Sequence, residues 1–399
     1  VNGWPRRSRG LLVSIVTVAA ALYASQGALT GHAPNGVVTP RAANPAQQTR
    51  QLTARGVATA ALPQGGDQVT LAPGNIDLHD GMVAHYGSTY YLYGTRYGCG
   101  FSWGTAGTPW CGFGVSTSSS INGPWSAPRL LCPTNGYNAF NANTWAKTCS
   151  GPSGNGCFNA RMARRPDGVY ILSFNAPGDY VLKHANAYYF MGCNGPAGPC
   201  GPTAGAPNGS VTKPRMYVCS GNGDQTIVAF GSTAYIVCTQ PDLTLDIEQL
   251  DRWWVNGNGT GARNLAGLTD VESPGMWRDA ATGTWLMTYS SPHCGYCAGT
   301  GTGYATAAGP LGPWTFPANV GFSAPVTGRR DLSATSCGGQ PRTVSLVDGQ
   351  AYEDMDMWTG QRNETNAGQL LEPLTYTPTT HHAGDGLPWI PPFDPFPCT

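Results

Sequence analysis

Two carboxylic acids stand where the chain passes from a turn into an apolar run. Asp80 lies ten residues ahead of Tyr90 and Tyr91, and Glu272 opens Glu272-Ser273-Pro274. Two carboxyls held apart can divide the work of a hydrolysis. One keeps its proton and gives it to a leaving oxygen; the other is ionised and draws a proton from water. Each also has a plainer reading. A carboxylate at a strand start receives turn amides, and Asp80-Gly81 is an ordinary turn pair. Gln340 reads as an alternative base or a substrate ligand, Asn159 as a hydrogen bonder, and His79 as a contact to a substrate hydroxyl or a lining residue. Arg161, Lys213 and Arg342 would make a site basic and suit an acidic substrate, unless strand alternation turns them to solvent. Lys213 is the awkward one, because an ammonium beside Glu272 would favour its ionised form and weaken it as an acid. Trp103, Trp110, Trp277 and Trp358 are stacking platforms or core residues.

The elements that must position these groups recur. A short apolar strand, a turn and an aromatic-rich strand appear at Asp80–Arg96, Asn159–Phe174, Lys213–Cys238, Glu272–Ser290 and Gln340–Trp358. Two copies end alike, in Gly114–Ser126 and Gly303–Thr315. Repeats of this size, each a few strands, indicate propeller blades that bury their faces only by stacking. The expected fold is therefore all-β, a five-bladed β-propeller. Its inner strands would gather Asp80, Asn159, Lys213, Glu272 and Gln340 at one opening. Helical periodicity is nearly absent. Leu243–Trp254 is the one stretch long enough to suggest a helix, and it alternates as a strand too.

Composition agrees with this texture. Only 11% of the 399 residues are charged, and the formal net charge is 0, which excludes a highly charged disordered chain and argues against bulk-charge nucleic-acid binding. With 55 Gly and 33 Pro the chain is turn-rich. Three Lys stand against nineteen Arg. No dinucleotide fingerprint, P-loop, HExxH or G-x-S-x-G motif appears in a convincing context, so no cofactor is demanded.

Residues 1–31 read as a signal peptide or membrane anchor. A basic Pro5–Arg9 precedes the uncharged Leu11–Tyr23, which is too short to span a bilayer. Ordinary secretion fits better than twin-arginine export. Residues 32–67 read as a disordered linker, 68–377 as the propeller, and 378–399 as a Pro-rich tail tied down by Cys398. All 13 Cys lie beyond the leader, which fits an oxidising compartment. The short-range pairs Cys99–Cys111, Cys193–Cys200, Cys219–Cys238 and Cys294–Cys297 are the economical guess, and the odd count leaves one thiol over. Cys294-Gly-Tyr-Cys297 lacks the following helix of a redox motif and reads as a structural disulfide.

At these residues the chain resembles glycoside hydrolase family 43, a family of five-bladed inverting glycosidases. The resemblance is patterned over roughly residues 70–376. Val271-Glu272-Ser273-Pro274 looks like the family's general-acid segment, and Asp80, by its distance from Tyr90-Tyr91, like the base aspartate. Asp242–Leu250 and Gly339-Gln340 are similar to the exo-β-1,3-galactanase branch, in which the glutamine replaces the base. There are departures. Lys213-Pro214 stands where members carry a third acid, and Asn159 where the galactanase branch has a glutamate. The resemblance implies a secreted, monomeric hydrolase of a galactan- or arabinose-containing polysaccharide, with no nucleic-acid partner. By analogy the channel is a place for a structural Ca²⁺, which no ligand set in the sequence demands. A carbohydrate-binding propeller without catalysis and a disulfide-rich extracellular scaffold are the alternatives.

Overall fold

The computed structural model describes residues 69–71, 76–201, 211–316 and 332–377, together with 329, 393, 396 and 398. The leader, the linker and most of the tail lie outside these residues.

Five antiparallel sheets form the blades of a propeller. Blade one is His79–Tyr86, Thr89–Thr95, Phe113–Ser118 and Arg129–Leu130. Blade two is Phe158–Arg164, Tyr170–Asn175, Tyr188–Cys193 and Val211–Thr212. Blade three is Gln225–Phe230, Thr233–Thr239, Leu245–Leu250 and Gly257–Ala262. Blade four has three strands, Glu272–Arg278, Trp285–Ser291 and Gly301–Ala307. Blade five joins Gln340–Val347, Gln350–Met357 and Gly368–Leu374 to Val69–Leu71 from the other end of the chain, and this pairing closes the ring. The first-named strand of each blade touches the first-named strand of the next, from blade one round to blade five and back. Two short helices, α1 (Trp145–Ser150) and α2 (Pro177–Leu182), flank blade two.

The apolar cores lie between blades, as stacking requires. Tyr93 and Phe113 of blade one pack with Phe174 and Tyr189 of blade two. Ile171 meets Ile236 between blades two and three, and Ile247 meets Met287 between three and four. Leu286 meets Met355 between four and five, and Leu371 meets Leu92 between five and one. Trp110 and Trp277 belong to these cores, so of the four candidate platforms they are packing residues. Leu243–Trp254 resolves in favour of a strand, Leu245–Leu250, which pairs on both edges.

Blade three corrects the sequence reading. Val211–Thr212 pairs with Phe190–Met191 as the outer strand of blade two, so Lys213 lies at that outer edge. The inner strand of blade three starts at Gln225, and the residue before it is Asp224. The extended Lys213–Met216 segment looked like a strand start because Pro and alternating polarity favour extended backbone at either place.

The four expected disulfides form, together with Cys149–Cys157 and Cys337–Cys398, and Cys132 is a buried free thiol. Cys337–Cys398 places Phe393 and Phe396 of the tail among the core residues between blades four and five. No helix among the described residues is long and apolar enough to cross a membrane.

Candidate active site

The same backbone device opens three of the inner strands. In blades one, two and four the ladder breaks between residues three apart: His79 and Met82, Phe158 and Arg161, Glu272 and Gly275. The residue inside each bulge has a left-handed backbone: Asp80 at φ 57°, Asn159 at φ 59° and Ser273 at φ 55°. A non-glycine residue held there costs on the order of 1–3 kcal/mol and persists only where its surroundings dictate it. The bulge re-aims side chains at the end of the strand. A Cβ on Gly81 would fall on the Tyr93 carbonyl, so only glycine can follow Asp80. Blade five bulges one step later, between Pro341 and Thr343.

These strand ends line a cavity of about 220 Å³. Asp80, Asn159, Asp224, Glu272, Gln340 and Arg342 face it, with Trp103, Tyr296 and Trp358 as aromatic wall. Glu272 is held by two donors, Cys294 N–H at 2.5 Å and Gln340 Nε2 at 2.7 Å. Both converge on Oε1, so Oε2 is the oxygen left to carry a proton. Gln340 Nε2 also donates to the Cys294 carbonyl at 2.5 Å, and Gln340 Oε1 is buried without a partner. Burial first, and then the charge of Asp224, push the Glu272 carboxyl well above the usual carboxylate range, against the pull of its donors.

Asp224, passed over in the sequence, joins the two ends of the site. Asn159 Nδ2 donates to its Oδ1 at 2.8 Å, and Ser273 Oγ to its Oδ2 at 2.6 Å. Its charge raises Asp80 as well as Glu272. The Gly223-Asp224 pair ahead of an apolar run was the available signal, since it mirrors a polar residue at the head of the other inner strands.

Asp80 is tied at its backbone and at its carboxyl. Its N–H donates to Asp356 Oδ2 at 2.9 Å, and Tyr97 Oη donates to its Oδ2 at 3.3 Å. Tyr97 in turn shares a 2.6 Å hydrogen bond with Tyr296. Burial, then Asp356 and Asp224, raise the Asp80 carboxyl well above its ordinary value, while Arg342 and Arg161 oppose them. Asp356 goes the other way. Burial works against its charge, but Arg342, donating at 2.6 Å, and the nearby His79 hold it below the ordinary value.

Three of the candidate contact residues are not in the cavity wall. His79 is fully buried, 3.6 Å from Asp356 and 3.7 Å from Asp77, and packs on Tyr97 and Trp358. Arg161 is buried in the channel. It donates to the carbonyls of Asp80, Gly81 and Arg342 and to Asn159 Oδ1, and so ties blades one, two and five together. Lys213 donates to Asp179 Oδ2 at 2.7 Å and to the Asn186 carbonyl at 2.8 Å, and lies over the Tyr189 ring. Alternation alone could not tell a channel-facing arginine from a ligand-facing one. Among the described residues no group of three His, Cys, Asp or Glu side chains is arranged to hold a metal.

No protein-family model matches the sequence, and no curated protein matches it. The fold is similar to solved propellers. One is a glycoside hydrolase family 43 β-1,3-galactosidase, at 18% identity and a TM-score of 0.56, covering 77% of this chain and 61% of that one. A second β-1,3-galactosidase of that family, with galactodeoxynojirimycin, has 16% identity and a TM-score of 0.55 over 75% of this chain and 91% of its own. An exo-β-1,3-galactanase from Phanerochaete chrysosporium, with β-1,3-galactotriose, has 16% identity and a TM-score of 0.53 over 77% and 64%. This chain thus spans less than two thirds of the length of the first and third. At these identities the likeness is one of fold.

Proposed function

We propose that this protein is a secreted glycoside hydrolase of the family 43 type that cleaves β-1,3-linked galactan with inversion at the anomeric carbon. The observation that carries the reading is the convergence of Asp80, Asp224 and Glu272 on one aromatic-walled cavity. Solved structures of similar fold are named as β-1,3-galactosidases and galactanases, which directs the choice of sugar. Six disulfides support an extracellular site of action.

In this reading Glu272, protonated on Oε2, gives its proton to the departing glycosidic oxygen. Asp80 takes a proton from the water that attacks from the opposite face. Inversion needs the two carboxyls about 6.5–9.5 Å apart so that this water fits between them. Asp224 keeps Glu272 protonated by charge repulsion. Gln340 cannot serve as a base of carboxylate strength; it holds Glu272 and offers Oε1 to a water or hydroxyl. Trp103 and Tyr296 supply flat apolar faces for a sugar ring. Lys213 is engaged by Asp179, which removes its objection to an acid at Glu272; the alternative of a carbohydrate-binding protein without catalysis rested also on Asn159, which here donates to Asp224.

The test is hydrolysis of β-1,3-galactan, arabinogalactan, arabinan and xylan by the full chain and by Glu272→Gln, with the released anomer followed by proton NMR. Galactose released as the α-anomer by the wild type, and none by the variant, is expected. No release from any polymer, or a β-anomer product, would overturn the reading.

A further inference from the structure

The three lysines of the chain, Lys147, Lys183 and Lys213, come from separate segments yet gather at one place. A second cavity of about 220 Å³ lies between α1 and α2. Lys147 of α1 and Lys183 at the end of α2 line it, and both are exposed. Lys183 Nζ spends one donor on the Asn141 carbonyl, at 3.0 Å. Neither lysine has a carboxylate partner among the described residues; Lys213, buried behind them, takes Asp179 Oδ2. Asp179 also lines the cavity. Its Oδ2 accepts from Tyr189 Oη and Lys213, but its Oδ1, on a side chain 1% exposed, has no hydrogen-bond partner. The His184 ring stands 3.6 Å from that oxygen and bonds instead to Asn141 Oδ1 at 3.1 Å.

The cavity therefore asks two things of an occupant. It offers ammonium groups that lack an anion, and a buried carboxylate oxygen that lacks a donor. A bare inorganic anion would satisfy the lysines and be repelled by Asp179. A neutral sugar would reach Asp179 through a hydroxyl and leave the lysines unpaired. A sugar acid does both, with its carboxylate on Lys147 and Lys183 and a hydroxyl donating to Asp179 Oδ1. We propose that the cavity between α1 and α2 is a binding site for a uronic acid residue of a glycan. It abuts the candidate active site, because Pro177 lines the catalytic cavity while Gly178 and Asp179 line this one. The inference rests on the glycosidase reading only in taking the ligand to be a sugar.

Saturation-transfer NMR titrations of the full chain with methyl β-D-glucuronide, methyl β-D-galactoside and acetate test it without turnover. The glucuronide is expected to bind tightest. Its affinity falls at least tenfold in Lys147→Gln/Lys183→Gln, whose thermal midpoint stays at the wild-type value because both side chains are exposed. The galactoside is unaffected by the substitution. Should the double variant misfold, each single variant is measured, and a loss in both is expected. Glucuronide binding indifferent to the lysines, or no tighter than galactoside binding, overturns the proposal. Acetate binding as tight and as lysine-dependent reduces the cavity to a simple anion site and overturns it equally. Loss of hydrolysis in every assay with glucuronide binding intact would overturn the active-site reading alone.

Discussion

Glu272 and Asp80 are both raised, and the proposed mechanism needs them in opposite states, so the pH profile separates them. In the proposed hydrolysis Glu272 acts protonated, so activity is expected to be lost on the alkaline side as pH rises through the Glu272 pKa. Asp224 raises that pKa, so Asp224→Asn moves the alkaline limb to lower pH. The Gln340 amide lowers it, so Gln340→Ala moves the limb the other way while reducing kcat. Limbs that stay in place in both variants would remove Asp224 and Gln340 from the control of the acid. With Asp80 as the proposed base, the acidic limb is expected to follow its ionisation, and its raised pKa places that limb above the usual carboxylate range. Asp80→Asn is expected to cut kcat by about 10²–10⁴-fold and abolish this limb, read from steady-state kinetics across pH. The place of Asp80 and Glu272 at the cavity was legible because each heads a short apolar strand. Their partnership with Asp224 was not, because it depends on blade three being cut at Gln225.

At the scale of elements, two segments hold the site at different costs. The Cys294–Cys297 loop supplies the amide that fixes Glu272, the carbonyl that fixes Gln340, and Tyr296 of the cavity wall. The bridge spans a sequence separation of only 3. Removing so small a loop constraint costs about 2 kcal/mol in the chain-entropy account. Cys294→Ser/Cys297→Ser should therefore lower kcat/KM far more than it lowers the denaturation midpoint. Equal, proportionate losses would mean that the bridge serves stability and not the acid. α2 shows the converse. Lys213→Ala leaves the Asp179 carboxylate buried without its cation, a loss of about 3–5 kcal/mol in urea unfolding. The same variant should leave the alkaline limb of activity unmoved; a shifted limb would return Lys213 to the neighbourhood of Glu272. Sequence had placed Lys213 there because a Lys-Pro at the edge of one blade and the head of the next strand both read as extended backbone.

Over the whole molecule the buried acids set the dependence of stability on pH. Asp80, Glu272 and Glu353 are raised well above their ordinary values, chiefly by burial, and Asp354 to about 6. Such a group keeps its proton in the folded state after the unfolded chain has lost it. Its stabilising effect is full below the unfolded pKa of about 4 and declines as pH rises towards the folded value. Asp356 has the opposite sign: its contribution is present above the unfolded pKa and lost as pH falls through its lowered folded value. The raised groups outnumber it, so the thermal midpoint should be higher near pH 5 than near pH 8. A midpoint that climbs steadily with pH would contradict this balance.

The sequence by itself determined the propeller and most of the inner strands. Their signals are local: alternation of apolar residues, Gly and Asp turns, and recurrence at blade length. It also contained the short-range disulfides, because chain proximity brings Cys99 to Cys111 and Cys294 to Cys297. What only the tertiary structure decided was the direction in which polar side chains point once the ring closes. Arg161 and His79 look like ligands in the sequence, yet they are buried beside the cavity, not in its wall. Asp224 looks like a turn residue but lies between Asn159 and Ser273 from neighbouring blades. Each of these outcomes depends on contacts between residues at least 49 positions apart in the chain, and no window of sequence reports the geometry of a closed ring.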